Sequence, residues 1–101
     1  MADFNIKQGD TRPALLAQLY EDSSEVDLTG ATVKFHMGTS IDAPATIREA
    51  ATGKVKYQWA AGDTDTGGLF DFEFEVTFPD GRIETFPNDK HNTVLIYEAL
   101  A

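Results

Sequence analysis

Residues 69–78 read LFDFEFEVTF and carry a large apolar side chain at every second position. In an extended strand, successive side chains point to opposite faces, so this alternation puts the apolar groups on one face and the acidic groups on the other. The apolar set is Phe70, Phe72, Phe74, Val76 and Phe78. The stretch therefore predicts a β-strand that is buried on one side, in a scaffold built from β-structure.

A Pro-Asp-Gly turn follows, and residues 82–86 (RIETF) then predict the returning strand of a hairpin. Two registers are open. In one, Phe78 pairs with Arg82 and Glu84 lies on the apolar face. In the other, Phe78 pairs with Ile83 and Phe86 turns outward. Each register leaves one misplaced side chain, which a β-bulge would absorb.

Shorter alternating runs predict further strands along the rest of the chain. Leu15, Leu16, Leu19 and Tyr20 cover both faces of one of them, which we therefore expect to be buried on both sides. The predicted strands lie near residues 4–7, 15–20, 31–37, 45–49, 54–59, 69–78, 82–86 and 94–97. Seven to eight short strands without a convincing helix predict an all-β, antiparallel β-sandwich, with residues 1–101 as a single domain.

The composition narrows the possible functions. Seventeen acidic residues against eight basic ones give a net charge of −9, which repels phosphate backbones and argues against nucleic-acid binding. The chain has no cysteine, and no run approaches the ~20 apolar residues of a membrane span. The N-terminal residues lack the pattern of a signal sequence, so we expect a cytoplasmic pool and no membrane partner.

The polar residues suggest little chemistry. Asp63 and Asp65 are spaced like the first ligands of a calcium loop, but Gly67 and Phe74 occupy the later ligand positions of that template. His36 and His91, the two histidines, lack the spacing of a metal site or a catalytic triad. The acidic row of residues 71–75 is typical of a solvated strand face. We therefore predict no catalytic residue, no metal and no cofactor.

A carbohydrate- or receptor-binding module is the alternative function. Trp59 would offer a flat aromatic face to a ligand, with Asp63 and Asp65 beside it. However, Trp59 alternates in step with Val55 and Tyr57, which favours packing in the core.

The last strand, near residues 94–97, is apolar on both faces. Val94 and Ile96 form one face, while Leu95 and Tyr97 form the other. Such a strand is either central and covered, or docked on another chain. We hypothesise that Leu95, Tyr97 and Leu100 contribute to a subunit contact.

Four segments resemble the N-terminal domain of phage upper baseplate proteins. They are residues 6–13 (IKQGDTRP), 26–35 (VDLTGATVKF), 53–57 (GKVKY) and 74–81 (FEVTFPDG). The resemblance spans nearly the whole chain, and its motifs are turns and strands rather than an active site.

The resemblance implies an immunoglobulin-like β-sandwich that serves as an attachment module in tailed-phage virions. It implies a non-enzymatic baseplate, tail, connector or capsid-decoration subunit that docks on other virion proteins and on copies of itself. Two features of the sequence differ from what the resemblance would lead one to expect. In that family the domain is followed by a linker and further modules, whereas this sequence ends at Ala101. The paired cysteines and tyrosine corner of a true immunoglobulin domain are also missing, so the resemblance supports the broader sandwich class.

Overall fold

The computed structural model describes residues 2–38, 40–88 and 92–100. The prediction of an all-β protein is confirmed, since strands make up 54% of the described residues and helix 3%. The strands are β1 (Phe4–Lys7), β2 (Leu15–Gln18), β3 (Tyr20–Glu21), β4 (Ser24–Glu25), β5 (Thr32–Met37), β6 (Ile41–Glu49), β7 (Lys54–Tyr57), β8 (Gly68–Thr77), β9 (Ile83–Phe86) and β10 (Asn92–Tyr97), with one 3-10 turn at Ala50–Thr52. In the described part of the chain, no helix has the length and hydrophobicity of a membrane span.

The long strands pair in the order β1-β10-β8-β5-β6-β7-β2, and β9 also pairs with β8. Strand β6 changes partner along its length: residues 41–45 pair with β5, and residues 46–49 pair with β7. This divides the strands into a front sheet (β1, β10, β8, β9, β5 and the first half of β6) and a back sheet (the second half of β6, β7 and β2). The two layers, joined through β6, form a nearly barrel-like structure that is compatible with the predicted sandwich.

The sheet is mixed rather than purely antiparallel. Strand β1 runs parallel to β10, with Phe4 beside Val94 and Ile6 beside Ile96. The other pairs are antiparallel. A parallel pair needs a long connection, and here nearly the whole chain lies between its two strands.

The hairpin takes the first of its two registers. Phe74 lies opposite Phe86, and Val76 lies opposite Glu84. The Phe78 N–H donates to the Arg82 carbonyl at 2.9 Å, and no bulge separates the paired residues. The sequence thus correctly identified Glu84 as the misplaced side chain of this register.

Strand β2 corrects one expectation. Leu15 and Leu19 are buried, but Leu16 is 56% exposed and Tyr20 is 50% exposed. The prediction that this strand is buried on both faces is therefore wrong. In the described part of the chain no further layer packs on the outer face of the back sheet, so the side chains of β2 that point outward are exposed to solvent.

The core is aromatic and joins the two sheets. Phe35 of β5 stacks on Tyr57 of β7 with the ring centroids 4.2 Å apart, and the same Phe35 ring contacts Phe72 and Phe74. Phe35 is fully buried. Truncating a buried phenylalanine to alanine typically costs about 3–5 kcal/mol, so these rings are a main source of stability.

Candidate functional site

The outer face of the front sheet carries an exposed apolar cluster. Leu95 of β10 pairs with Leu69 of β8. Both side chains point away from the core, because their neighbours in sequence, the buried Val94 and the partly buried Phe70, point into it. Leu69 is 62% exposed, Tyr97 is 48% exposed and Leu95 is half-buried. We call Leu69, Leu95 and Tyr97 the outer patch.

Two of the three residues predicted for a subunit contact belong to this patch. Leu95 and Tyr97 share the outer face of β10, which lies between β1 and β8. Leu100 follows the end of β10 and is fully exposed. Sequence reasoning missed Leu69, although its position one residue out of phase with the phenylalanines of β8 was a signal.

The carboxylate row of β8 runs along the same outer face and has basic neighbours. Glu75 pairs with Lys34 of β5, and Glu73 pairs with His36. From the other side, Asp42 lies 3.9 Å from the Lys34 ammonium and 3.6 Å from the His36 Nδ1 atom. These are partly exposed charge contacts, which contribute little to stability.

The structure therefore places His36 beside a carboxylate, as a catalytic site would require. However, His36 lies on the outer face of a sheet and lines neither the cavities between β2 and β9 nor the one beside residues 11–14. Its Nε2 atom is buried without a hydrogen-bond partner among the described residues. His91 lies outside the described residues.

Asp63 fastens a loop to the core. Its carboxylate accepts hydrogen bonds from the Tyr57 hydroxyl and, at 2.8 Å, from the Ala60 N–H. Burial raises the pKa of Tyr57, and the hydrogen bond to Asp63 and the charge of that carboxylate add to the effect. The next residue, Thr64, is buried and donates its hydroxyl to the Asp10 carbonyl at 2.7 Å.

Asp65 positions the loop through its backbone, whereas Asp63 does so through its side chain. Its backbone carbonyl accepts a hydrogen bond from the Gln8 side chain at 2.6 Å. The described residues contain no group of three acidic, histidine or cysteine side chains placed to hold a metal ion. The two aspartates of the calcium motif thus serve to position the loop, through Tyr57 and through Gln8.

Trp59 lies inside the protein. It is 2% exposed, and its ring contacts Phe4, Phe35 and Tyr57 at centroid distances of 5.8, 5.8 and 5.3 Å. The face that the alternative function would use is therefore covered by other rings, and the structure does not assemble Trp59 with Asp63 and Asp65 into one surface.

A second feature is an open seam between the sheets. Strand β2 and the β3–β4 hairpin border it on one side, and β9 borders it on the other. A cavity of about 540 Å³ lies between residues 17–22 and residues 86–88, above the rings of Phe74 and Phe86. A second cavity of about 420 Å³ lies farther along β9, where Glu21 meets Glu84. We call this whole gap the seam.

The misplaced Glu84 was the sequence signal for the seam. In a closed sandwich its position opposite Val76 would bury a carboxylate, but at the seam the side chain is only half-buried and bonds to Asn88 at 2.8 Å. The contact with Glu21 depends on tertiary structure and could not be read from the sequence.

Comparison with known proteins gives one family. The model of the BppU N-terminal domain matches residues 2–86, which include β1 to β9. No curated protein matches the sequence.

Proposed function

Because the chain belongs to the family of the BppU (baseplate upper protein) N-terminal domain, we propose that it is a non-enzymatic attachment module that docks on other virion proteins through the outer patch. Membership of this family makes the chain a phage baseplate structural protein, and thus a component of the virion that interacts with other virion proteins. The use of the outer patch, and the absence of catalysis, are our proposal.

The exposure of the outer patch is the observation that carries this proposal. Leu69 and Tyr97 are about half or more exposed, and they adjoin Leu95. The outward-facing residues of the neighbouring strand β1, Asn5 and Lys7, are polar. Contiguous exposed apolar groups rimmed by polar ones are typical of protein–protein contacts, in which tyrosine is also enriched. Burial of the patch against a partner would remove this apolar area from water and so favour docking.

The charges around the patch would restrict the choice of partner. The carboxylates of β8 lie beside it, and the whole chain has a net charge of −9. A negative exterior suppresses indiscriminate association and repels nucleic acid and anionic membrane surfaces. We therefore propose protein partners alone.

We extend the proposal to assembly. A single domain over residues 1–101 would dock in several copies, in keeping with the closed symmetry of most protein oligomers. A pool in the host cytoplasm would precede assembly, as expected for a chain without disulfides.

The hydrogen bonds of the polar side chains stabilise loops of the fold, which supports a structural role. Asp63 braces the Tyr57 hydroxyl, and Thr64 ties its loop to Asp10. His36 meets Asp42 on an open sheet face rather than in a cavity. Positioned acid and base groups accelerate reactions when a substrate is held between them, and this pair has no such enclosure.

Substitutions in the outer patch test the proposal. Leu69→Glu and Tyr97→Glu place a carboxylate in the patch at exposed positions, so we expect the thermal stability of the free protein to change little. Mass spectrometry of purified particles should detect the wild-type chain, and the copy number of either variant in the particles should be strongly reduced. Thr46→Glu, on the exposed outer face of the back sheet, is the matched control and should assemble normally.

Patch variants that fold and enter particles at the wild-type copy number would overturn docking through this face. Absence of the wild-type chain from particles would overturn the attachment role itself.

A further inference from the structure

The two strands that border the seam each lack a neighbour on one side. Within the described residues, β2 pairs with β7 alone and β9 pairs with β8 alone. The nearly barrel-like structure is therefore open between these two edges. An edge strand with free backbone groups is a template for pairing with another chain.

The hydrogen-bond phase of β9 shows which backbone groups are free. The Phe78 N–H donates to the Arg82 carbonyl across the ladder, so these two residues face each other with their backbone groups. Bonded and non-bonded pairs alternate in an antiparallel ladder, so Ile83 and Thr85 direct their N–H and C=O groups away from β8. The Asn88 side chain donates to the Thr85 carbonyl at 3.1 Å. The backbone groups of Ile83 are left as an open edge, beside a side chain that is 62% exposed.

The same reasoning applies to β2. Leu19 donates its N–H to the Gly53 carbonyl at 2.9 Å, which extends the pairing of Ala17 with Val55. The intervening residue, Gln18, therefore directs its backbone groups away from β7. Ala17, Gln18 and Leu19 line the larger cavity, so this second free edge borders the same seam.

The seam is also acidic. The carboxyl groups of Glu21 and Glu84 meet across it, and Asp22 lines the larger cavity. Arg82 lines the smaller cavity, but its guanidinium is engaged by Asp80 at 2.7 Å. Two carboxyl groups in contact repel each other when both are ionised, and a cation placed between them would relieve that repulsion.

We propose that the seam binds an extended, basic segment of a partner polypeptide, which adds as a strand to the free edge of β9 and places a lysine or arginine beside Glu21 and Glu84. The backbone edge would provide hydrogen bonds that any sequence can make, and the carboxylates would select for positive charge. The inference deepens the proposed docking function and rests on it for the identity of the partner as a virion protein.

A synthetic peptide tests the seam directly. The probe alternates lysine and valine over about eight residues, which is the length of an ordinary strand. Isothermal titration calorimetry against the full chain should detect one binding site. A peptide with the same side chains but N-methylated at every backbone nitrogen of its central residues has no N–H to donate from either edge, so we expect its binding to be lost.

Charge reversal locates the site. Glu21→Lys and Glu84→Lys should each weaken binding of the peptide by about tenfold or more. Glu98→Lys makes the same charge change at an exposed residue beyond β10 and should leave binding unchanged. Because Glu84→Lys alters a half-buried side chain, Glu21→Lys on the exposed hairpin provides the second, structurally safer variant.

Three outcomes would overturn the inference: no binding, equal binding of the methylated peptide, or equal weakening by Glu98→Lys. Absence of binding would leave the seam carboxylates as protection of an edge strand against unwanted pairing. None of these results would affect the particle test of the outer patch, so failure of the seam and failure of the proposed docking function are distinguishable.

Discussion

Phe35 of β5 and Tyr57 of β7 stack nearly parallel, at an interplanar angle of 12° and a centroid distance of 4.2 Å. They belong to different sheets, so this contact connects the two layers. The Tyr57 hydroxyl continues the connection by donating to Asp63, which in turn accepts from Ala60. One buried tyrosine thus couples the core to the loop between β7 and β8.

Tyr57→Phe tests this coupling. The variant keeps the stacked ring but removes one of the two donors to Asp63, so we expect a loss of about 1–2 kcal/mol in the free energy of unfolding. Chemical denaturation measures the loss. Tyr97→Phe is the control, because the Tyr97 hydroxyl makes no hydrogen bond with the described residues and should be nearly neutral. Equal stability of the two variants would show that the Asp63 bond contributes nothing.

The sequence predicted the strands better than their arrangement. Alternation of period two identified β8, and it placed Trp59 and Tyr57 on a common face that the structure buries. This succeeded because the side-chain period of a strand is a local property. The order of strands in a sheet is not local, so the parallel pairing of β1 with β10 could not be predicted.

The residues of the candidate site were likewise predictable where they follow a local pattern, and not where they depend on which strands pair. Leu95 and Tyr97 were found from the apolar pattern of β10, but Leu69 becomes part of the patch only because β8 pairs with β10. Leu16 was expected inside because its own strand is apolar on both sides, yet none of the described residues forms a layer over the outer face of β2. The hairpin register was open for a related reason: the position of Glu84 is tolerable only where the sandwich is open.

The pair of Glu21 and Glu84 predicts a pH effect. The pKa of Glu21 is raised because its carboxyl hydrogen-bonds to Glu84 and is repelled by its charge. The folded chain then binds this proton more readily than the unfolded chain, so the stability contributed by the pair falls as pH rises from the ordinary glutamate value of about 4.3 through the raised value. We expect Glu21→Gln to be more stable than the wild type at neutral pH, with the gain shrinking toward acid.

Thermal unfolding over a pH series measures that gain. Other carboxylates with lowered pKa have the opposite slope, but they are the same in both proteins and cancel in the difference; these are Asp27, Glu49 and Asp80. Parallel pH profiles for wild type and Glu21→Gln would contradict the predicted coupling.

The burial of Trp59 predicts that the chain does not bind carbohydrate through this residue. As the only tryptophan, it should show blue-shifted fluorescence and resist quenching by acrylamide in the native state, and become accessible after denaturation. A glycan array, with and without calcium, should show no binding that depends on Trp59, with Trp59→Phe as the comparison variant. Specific binding lost in Trp59→Phe would instead favour the carbohydrate-binding function.

Close backbone packing around Gly53 predicts a large loss of stability when this glycine is replaced by alanine. It has φ +73°, and a Cβ atom there would lie 2.8 Å from the carbonyl oxygens of both Leu19 and Val26. Gly81 has a similar φ of +88° but no atom within 4 Å of its Cβ position. Alanine at either site is strained by about 1–2 kcal/mol, and alanine at Gly53 adds an overpacking penalty of about 1–3 kcal/mol.

Chemical denaturation of Gly53→Ala and Gly81→Ala separates these two effects, because the strain in φ is common to both variants. We expect Gly53→Ala to be clearly the less stable. The clash would push the Leu19 and Val26 carbonyls apart, and the Leu19 carbonyl accepts the Val26 N–H that continues the β3–β4 hairpin. The same substitution should therefore displace Glu21 from Glu84 and weaken the pH effect described above. Equal destabilisation by the two variants would mean that the β3–β4 hairpin shifts to accommodate the added methyl group at little cost. Close packing at Gly53 would then not determine the position of the hairpin at the seam.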